Sequence, residues 1–122
     1  MRIRPIDPDG NAYAEACEVT GASRLLFVSG QVPAAPDGTV PPDYRTQYRV
    51  AWQNIERRLH SAGMTFDNLV KATIYLSDRK LIPQSEGLRK EILGDRNPPI
   101  TIVICGIYDV GWLLGIEAVP AP

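Results

Sequence analysis

The stretch from Asp43 to Gly63 constrains the fold more than any other part of the chain. Tyr44, Tyr48, Ala51, Ile55, Leu59 and Ala62 recur at steps of four, three, four, four and three residues, the spacing that gathers side chains into one stripe of an α-helix. Arg45, Arg49, Gln53, Glu56, Arg57 and His60 then turn toward water. Asp43 follows Pro41 and Pro42 and makes a good N-cap, because its carboxylate can accept from the orphan N–H groups of the first turn. Gly63 supplies the stop. A helix that is apolar on one side needs a second layer against which to bury that side.

The flanking segments read mostly as strands. Leu69 to Ser77 alternates, with Val70, Ala72, Ile74 and Leu76 on one face and Lys71, Thr73 and Tyr75 on the other. A second helix is predicted from Pro83, a good first-turn residue, to Leu93 before Gly94. Upstream, Ala14 to Thr20 reads as a strand and Gly21 to Arg24 as a turn. Leu25 to Val28 forms a short apolar strand ending at Ser29 and Gly30. Gln31 to Pro42 holds four prolines and a glycine without any period, and reads as loop. Ile100 to Ile107 is a β-branched run, Tyr108 to Gly111 a turn, and Trp112 to Val119 the last strand. Residues 1–12, broken by prolines, read as a loose lead-in to one domain spanning residues 1–122. The expected class is α+β: a mixed sheet whose short right-handed crossovers place two helices on one face.

The face without helices raises a difficulty. Strands 25–28, 100–107 and 112–119 carry apolar residues at both parities, so that face is expected to be largely apolar. A chain of 122 residues has nothing left to cover it. Exposed patches of this kind mark interfaces, and closed symmetry is their common solution, so a homo-oligomer is expected. Thirteen basic and fourteen acidic side chains leave a formal charge of -1, and no basic stripe interleaved with aromatics invites nucleic acid. No segment has the length of a membrane span or the apolar core of a signal peptide, so neither membrane nor nucleic acid is expected as a partner and a cytoplasmic location is expected. Cys17 and Cys105 are too few for a disulfide framework, and with the single His60 they do not supply a zinc site.

Four segments carry a resemblance. LFVSGQVP (Leu26 to Pro33), the helix pattern from Gln47 to Gly63, LVKATIYLSD (Leu69 to Asp78) and GIEAV (Gly115 to Val119) occur in the order and spacing of the Rid (YjgF, reactive intermediate deaminase) family. The chain is identified as resembling that family from about Tyr13 onward. The resemblance implies a chorismate-mutase-like fold, a homotrimer with a central barrel, and small-molecule clefts between subunits. It implies cofactor-independent chemistry on reactive intermediates, with no metal.

The deaminases of the family open the strand after the second helix with proline-alanine-arginine-serine-cysteine. Their arginine forks onto a substrate carboxylate, and a glutamate two residues before the closing-motif glutamate positions water. Counting back without a gap from Glu117 to Pro98 puts Ile100 at the arginine position, Thr101 at the serine, Ile102 at the cysteine and Gly115 at the glutamate. A charge-assisted arginine-carboxylate contact contributes roughly 1.5–3 kcal/mol, so its loss argues against 2-iminocarboxylate substrates. The expected cleft has polar contacts from Tyr13, Ser29, Gly30 and Thr101, with Ile100 and Ile102 as an apolar wall beside Gly115. Tyr13, Thr101 and Glu117 are the candidate catalytic groups. Cys105, three residues past the counted cysteine position, is expected on the opposite face as a structural thiol. Arg79, Arg89 and Arg96 are expected on the solvated surface.

Three functions follow from the resemblance. The first is an enzyme that hydrolyses, tautomerises, dehydrates or cyclises a reactive intermediate but does not deaminate 2-iminocarboxylates. The second is a non-catalytic, ligand-binding or chaperone-like trimer. The third, an endoribonuclease, ranks below both, because no histidine or basic constellation accompanies the near-neutral charge.

Overall fold

A computed structural model of the chain describes residues 2–8 and 13–122. The helix read from the stripe is α1, Tyr44–Ser61. Asp43 caps it, with Oδ2 accepting from Thr46 N at 3.0 Å and from Thr46 Oγ1 at 2.8 Å. Gly63 follows its end with a φ of 74°, the left-handed value that ends the helix cheaply. Tyr44, Tyr48, Ala51, Ile55 and Leu59 are buried as the spacing requires. The buried face is wider than the stripe, since Trp52, Gln47 and Asn54 join it. Gln47 is satisfied inside the protein. Its Nε2 donates to Pro41 O at 2.8 Å and Gly111 O at 3.1 Å, and its Oε1 accepts from Leu113 N at 2.9 Å.

The strand after α1 is β4, Leu69–Leu76, and the second helix is α2, Ile82–Leu93, with Pro83 in its first turn and Gly94 beyond its end. Before α1 the chain has β1 (Arg2–Pro8), β2 (Ala14–Thr20) and β3 (Val28–Gln31). After α2 come β5 (Ile100–Ile104) and β6 (Leu114–Pro120). One sheet has the order β3-β6-β4-β5, with β5 parallel to β4 and the other neighbours antiparallel. Helix α1 packs across β6 and β3 and against α2, so the α+β class with helices over one face of a mixed sheet is as expected.

Three elements differ from the reading. The lead-in is not loose over Arg2–Pro8, which pairs antiparallel with β2 from Arg2↔Thr20 to Pro8↔Ala14. Pro5 and Pro8 do not break the strand, because the outer strand of a hairpin tolerates residues without an N–H. The remainder, Met1 and residues 9–12, lies outside the described residues. The third strand sits three residues later than Leu25–Val28. Ser29 and Gly30 therefore lie inside β3 rather than at its end, where a register irregularity between Val28 and Gln31 accommodates them. The β5 strand stops at Ile104.

The bare face of the sheet is mixed rather than largely apolar. Ala72, Ile74 and Leu76 pair with Ala118, Ile116 and Leu114 on one side and with Ile100, Ile102 and Ile104 on the other. That set faces the helices and holds the fully buried Ala72, Ile74, Leu76, Leu114 and Ile116. Alternation sends the rest to the bare face: Lys71, Thr73 and Tyr75 from β4, Thr101 and Val103 from β5, Gly115, Glu117 and Val119 from β6. The apolar residues of β5 and β6 were present at both parities, but most of their mass went to the helix side.

Candidate functional site

Cross-strand pairing sets the rows of the bare face. Thr73 stands between Glu117 on β6 and Thr101 on β5, and Tyr75 stands between Gly115 and Val103 in the next row. Two diagonal contacts connect the rows. Tyr75 Oη donates to Glu117 Oε1 at 2.6 Å, and Lys71 Nζ donates to Thr101 Oγ1 at 2.5 Å. The bond to Glu117 is the main reason that the Tyr75 phenol is held above its ordinary value. Desolvation, the Glu117 charge and the Cys105 thiol add to the effect.

Beside these contacts the sheet carries an open groove of about 450 Å³, lined by Phe27, Ser29, Lys71, Thr73, Glu117 and Val119 among others. Its walls combine a ring, a carboxylate, an ammonium and two hydroxyls. No ion pair joins Lys71 to Glu117; the described pairs lie elsewhere. Each charge is held by a neutral hydroxyl and remains available to a third party in the groove. Phe27 is 73% exposed, an unusual state for a phenylalanine on a sheet edge.

The expected site residues fall into two groups. Ser29 and Glu117 line the groove, Thr101 reaches it through Lys71, Gly30 lies exposed in β3 next to Ser29, and Gly115 is buried opposite Tyr75. A Cβ on Gly115 would meet only Gln31 O, at 3.7 Å. Ile100 and Ile102 do not wall this groove. Ile100 pairs with Ala72 and is 8% exposed in the core, and Ile102 packs against the same core. Both lie on the parity of β5 that the helices cover, whereas Thr101 and Val103 take the other. Tyr13 also stands apart: its backbone N donates to Asn97 Oδ1 at 3.1 Å, its hydroxyl donates to Glu15 Oε2 at 3.3 Å, and its ring packs against the core.

Cys105 was expected on the face opposite the site. Its N–H donates to Leu76 O at 3.0 Å, and its thiol bears on the Tyr75 phenol, which places it at the end of the Thr101–Val103 row. Arg89 is not on the surface. It is 7% exposed on α2, where its charge acts on Tyr44 and Tyr48 of α1. Arg96 pairs with Asp67 at 2.7 Å and lies over the Phe66 ring. Neither arginine lines the groove.

Lys71, Thr73 and Tyr75 were missed as site residues. Their alternation with Ala72 and Ile74 was legible, and asking which parity the helices cover would have found them.

The element order and sheet define an α+β protein with two helices over one face of a four-stranded mixed sheet. A family model described as endoribonuclease L-PSP matches residues 7–121, and the chain belongs to that family, the Rid/YjgF proteins. It is 46% identical over 54 residues to the RutC family protein YjgH of Escherichia coli K12, covering 44% of this chain and 41% of that protein. A RutC family protein of Pyrococcus horikoshii is 29% identical over 118 residues, covering 95% and 88%. A Rid-family protein of unknown function from Yersinia pestis has the same fold. Its TM-score is 0.87 at 20% identity, with 100% of both chains covered.

Proposed function

We propose that this Rid-family chain is a single-domain subunit of a homotrimer whose bare-face grooves, closed by neighbouring copies, bind a small uncharged or weakly anionic reactive intermediate. It changes that molecule by proton transfer and does not deaminate 2-iminocarboxylates. The carrying observation is the carboxylate of Glu117, held by Tyr75 in an open groove that also contains Lys71. A carboxylate at hydrogen-bond reach of a bound ligand is a general base.

The missing fork supports the second half of the reading. An arginine that meets the substrate beside Gly115 must share the bare face, and parity gives that face Thr101 and Val103 on β5. Neither of those residues is an arginine, and the residue counted to the arginine position, Ile100, lies on the helix side. Without the fork, burial of a substrate carboxylate is uncompensated apart from Lys71. The family description names an endoribonuclease, but the groove has one charge of each sign, and His60 is exposed at the last turn of α1.

A non-catalytic binding trimer is the second reading, favoured by the glycine at 115 where the family's water-positioning acid stands. Amide chemical shifts test the site itself. Titration with methyl 2-oxobutyrate should move the resonances of Ser29, Thr73 and Glu117 together. Shifts confined to the groove between α1 and α2, around Arg49 and Glu91, would place the ligand elsewhere and refute the reading.

A further inference from the structure

The reaction class can be read more closely from how Tyr75 and Glu117 share one proton path, an inference that rests on the groove being a ligand site. We propose that the two side chains catalyse a 1,3-proton shift, keto to enol and back, on a small carbonyl compound with a hydrogen on the carbon next to the carbonyl.

The two groups offer complementary chemistry at adjoining points. Glu117 is exposed and lines the groove, and its Oε1 accepts from Tyr75, which leaves its second oxygen open as a base. Tyr75 is a donor in the next row, opposite Gly115. The absent side chain at Gly115 leaves room beside the pair, because a Cβ there would meet nothing closer than Gln31 O at 3.7 Å. A Lys ammonium has three donors, and Lys71 gives one of them to Thr101. The others can hold a second oxygen of the ligand across the groove, and Phe27 and Val119 can cover its carbon chain.

The step balances without any co-reactant. The Glu117 carboxylate takes the proton from the carbon next to the carbonyl, and the C–H electron pair becomes the C=C bond. The carbonyl π pair moves to oxygen, which takes the proton of Tyr75. The proton gained by the second oxygen of Glu117 passes to water in the open groove, and the phenolate left on Tyr75 takes one back from water, which restores the 2.6 Å bond between the two side chains. The enzyme returns to its starting state after each turnover. A tyrosine phenol is protonated near neutral pH at its ordinary value of about 10, and the bond to Glu117 holds that proton at the edge of the groove.

The test is hydrogen exchange in D2O. 2-Oxobutyrate and its methyl ester are followed by proton NMR at the carbon next to the ketone, with wild type, Tyr75→Phe and Glu117→Gln. Positioned acid-base groups contribute on the order of 100-fold or more, and the wild type should speed exchange of the ester by about that factor over buffer. Glu117→Gln should fall to the buffer rate. Tyr75→Phe should lose roughly tenfold or more in kcat with KM unchanged, a split that a purely structural tyrosine would not produce. Buffer-rate exchange by a wild type whose melting temperature still rises with the ester overturns the proton shift and leaves the ligand site standing. Absence of any melting shift or amide perturbation overturns the site as well. A Tyr75→Phe protein with wild-type kcat removes Tyr75 from the path.

Discussion

Ile100 lies directly opposite Ala72 in the parallel β4–β5 ladder, on the side covered by the helices, and Val103, opposite Tyr75, points the other way. Arginines at these two positions should behave differently. Ile100→Arg puts an unpaired guanidinium into the core and should cost about 3 kcal/mol or more in urea unfolding. Val103 is 36% exposed, and Val103→Arg should cost no more than about 1 kcal/mol. Only Val103→Arg should gain a melting-temperature response to 2-oxobutyrate, by mass action on the folded state. If Ile100→Arg proves the milder change and the one that answers to carboxylates, Ile100 faces the groove and Val103 the core.

The chain should not speed ammonia release from 2-iminobutyrate generated in place by a dehydratase. The bare face of β4, β5 and β6 carries no arginine, and glycine stands at 115 opposite Tyr75. An arginine-carboxylate fork contributes roughly 1.5–3 kcal/mol, and a transition-state loss of that size alone lowers the rate by about tenfold to a hundredfold. Release clearly above buffer, from a preparation free of host deaminases, would show that Lys71 replaces the fork.

Parts of this architecture were legible locally and parts were not. Helix α1 was readable because its stripe and its Asp43 cap lie within one stretch of chain. The alternation of β4 was readable for the same reason. Which face of β5 met the helices was not, because Val103 is as apolar as Ile100, Ile102 and Ile104, and only the pairing of Ile100 with Ala72 settles it. The hairpin strand Arg2–Pro8 was hidden by prolines whose missing N–H groups are harmless on an outer strand. Tyr75 and Glu117 are 42 residues apart, so no local pattern announces their contact.

Gln47 should matter for stability more than a polar helix residue usually does. It is 2% exposed and holds Pro41 O, Gly111 O and Leu113 N. Gln47→Ala leaves an N–H and two carbonyls to find other partners, at about 2–4 kcal/mol. Gln47→Glu keeps the acceptor for Leu113 but loses both donors, and should also be destabilised. Denaturant midpoints check both, and a loss under about 0.5 kcal/mol for Gln47→Ala would mean that water replaces the side chain without penalty.

The Tyr75–Glu117 bond gives stability a direction in alkali. The phenol is raised in the folded chain, so its contribution is fully present below the unfolded tyrosine pKa of about 10 and is lost as pH rises through the folded value. Glu117→Gln should bring the Tyr75 transition down, read from the ring carbon resonance of a labelled tyrosine assigned by Tyr75→Phe. An unchanged transition in Glu117→Gln would mean that the carboxylate does not hold the phenol in solution.

The bare face predicts its own oligomeric state. Phe27, in the groove wall, is 73% exposed and Val103, on the bare face, is 36% exposed. Apolar surface of that kind is stabilised by a symmetric partner, and a closed three-fold arrangement would cover each groove with a neighbouring copy. Light scattering at micromolar concentration should give three times the chain mass of 13.4 kDa. Phe27→Asp adds a charge at the rim and should shift the mass toward the monomer, because a desolvated unpaired carboxylate opposes association. The helix-side core contains no part of that ring's exposed surface, so the variant should keep its far-ultraviolet circular dichroism. A wild-type protein that scatters as a monomer at every concentration would show that the groove works open to solvent, and the inter-subunit cleft would have to be given up.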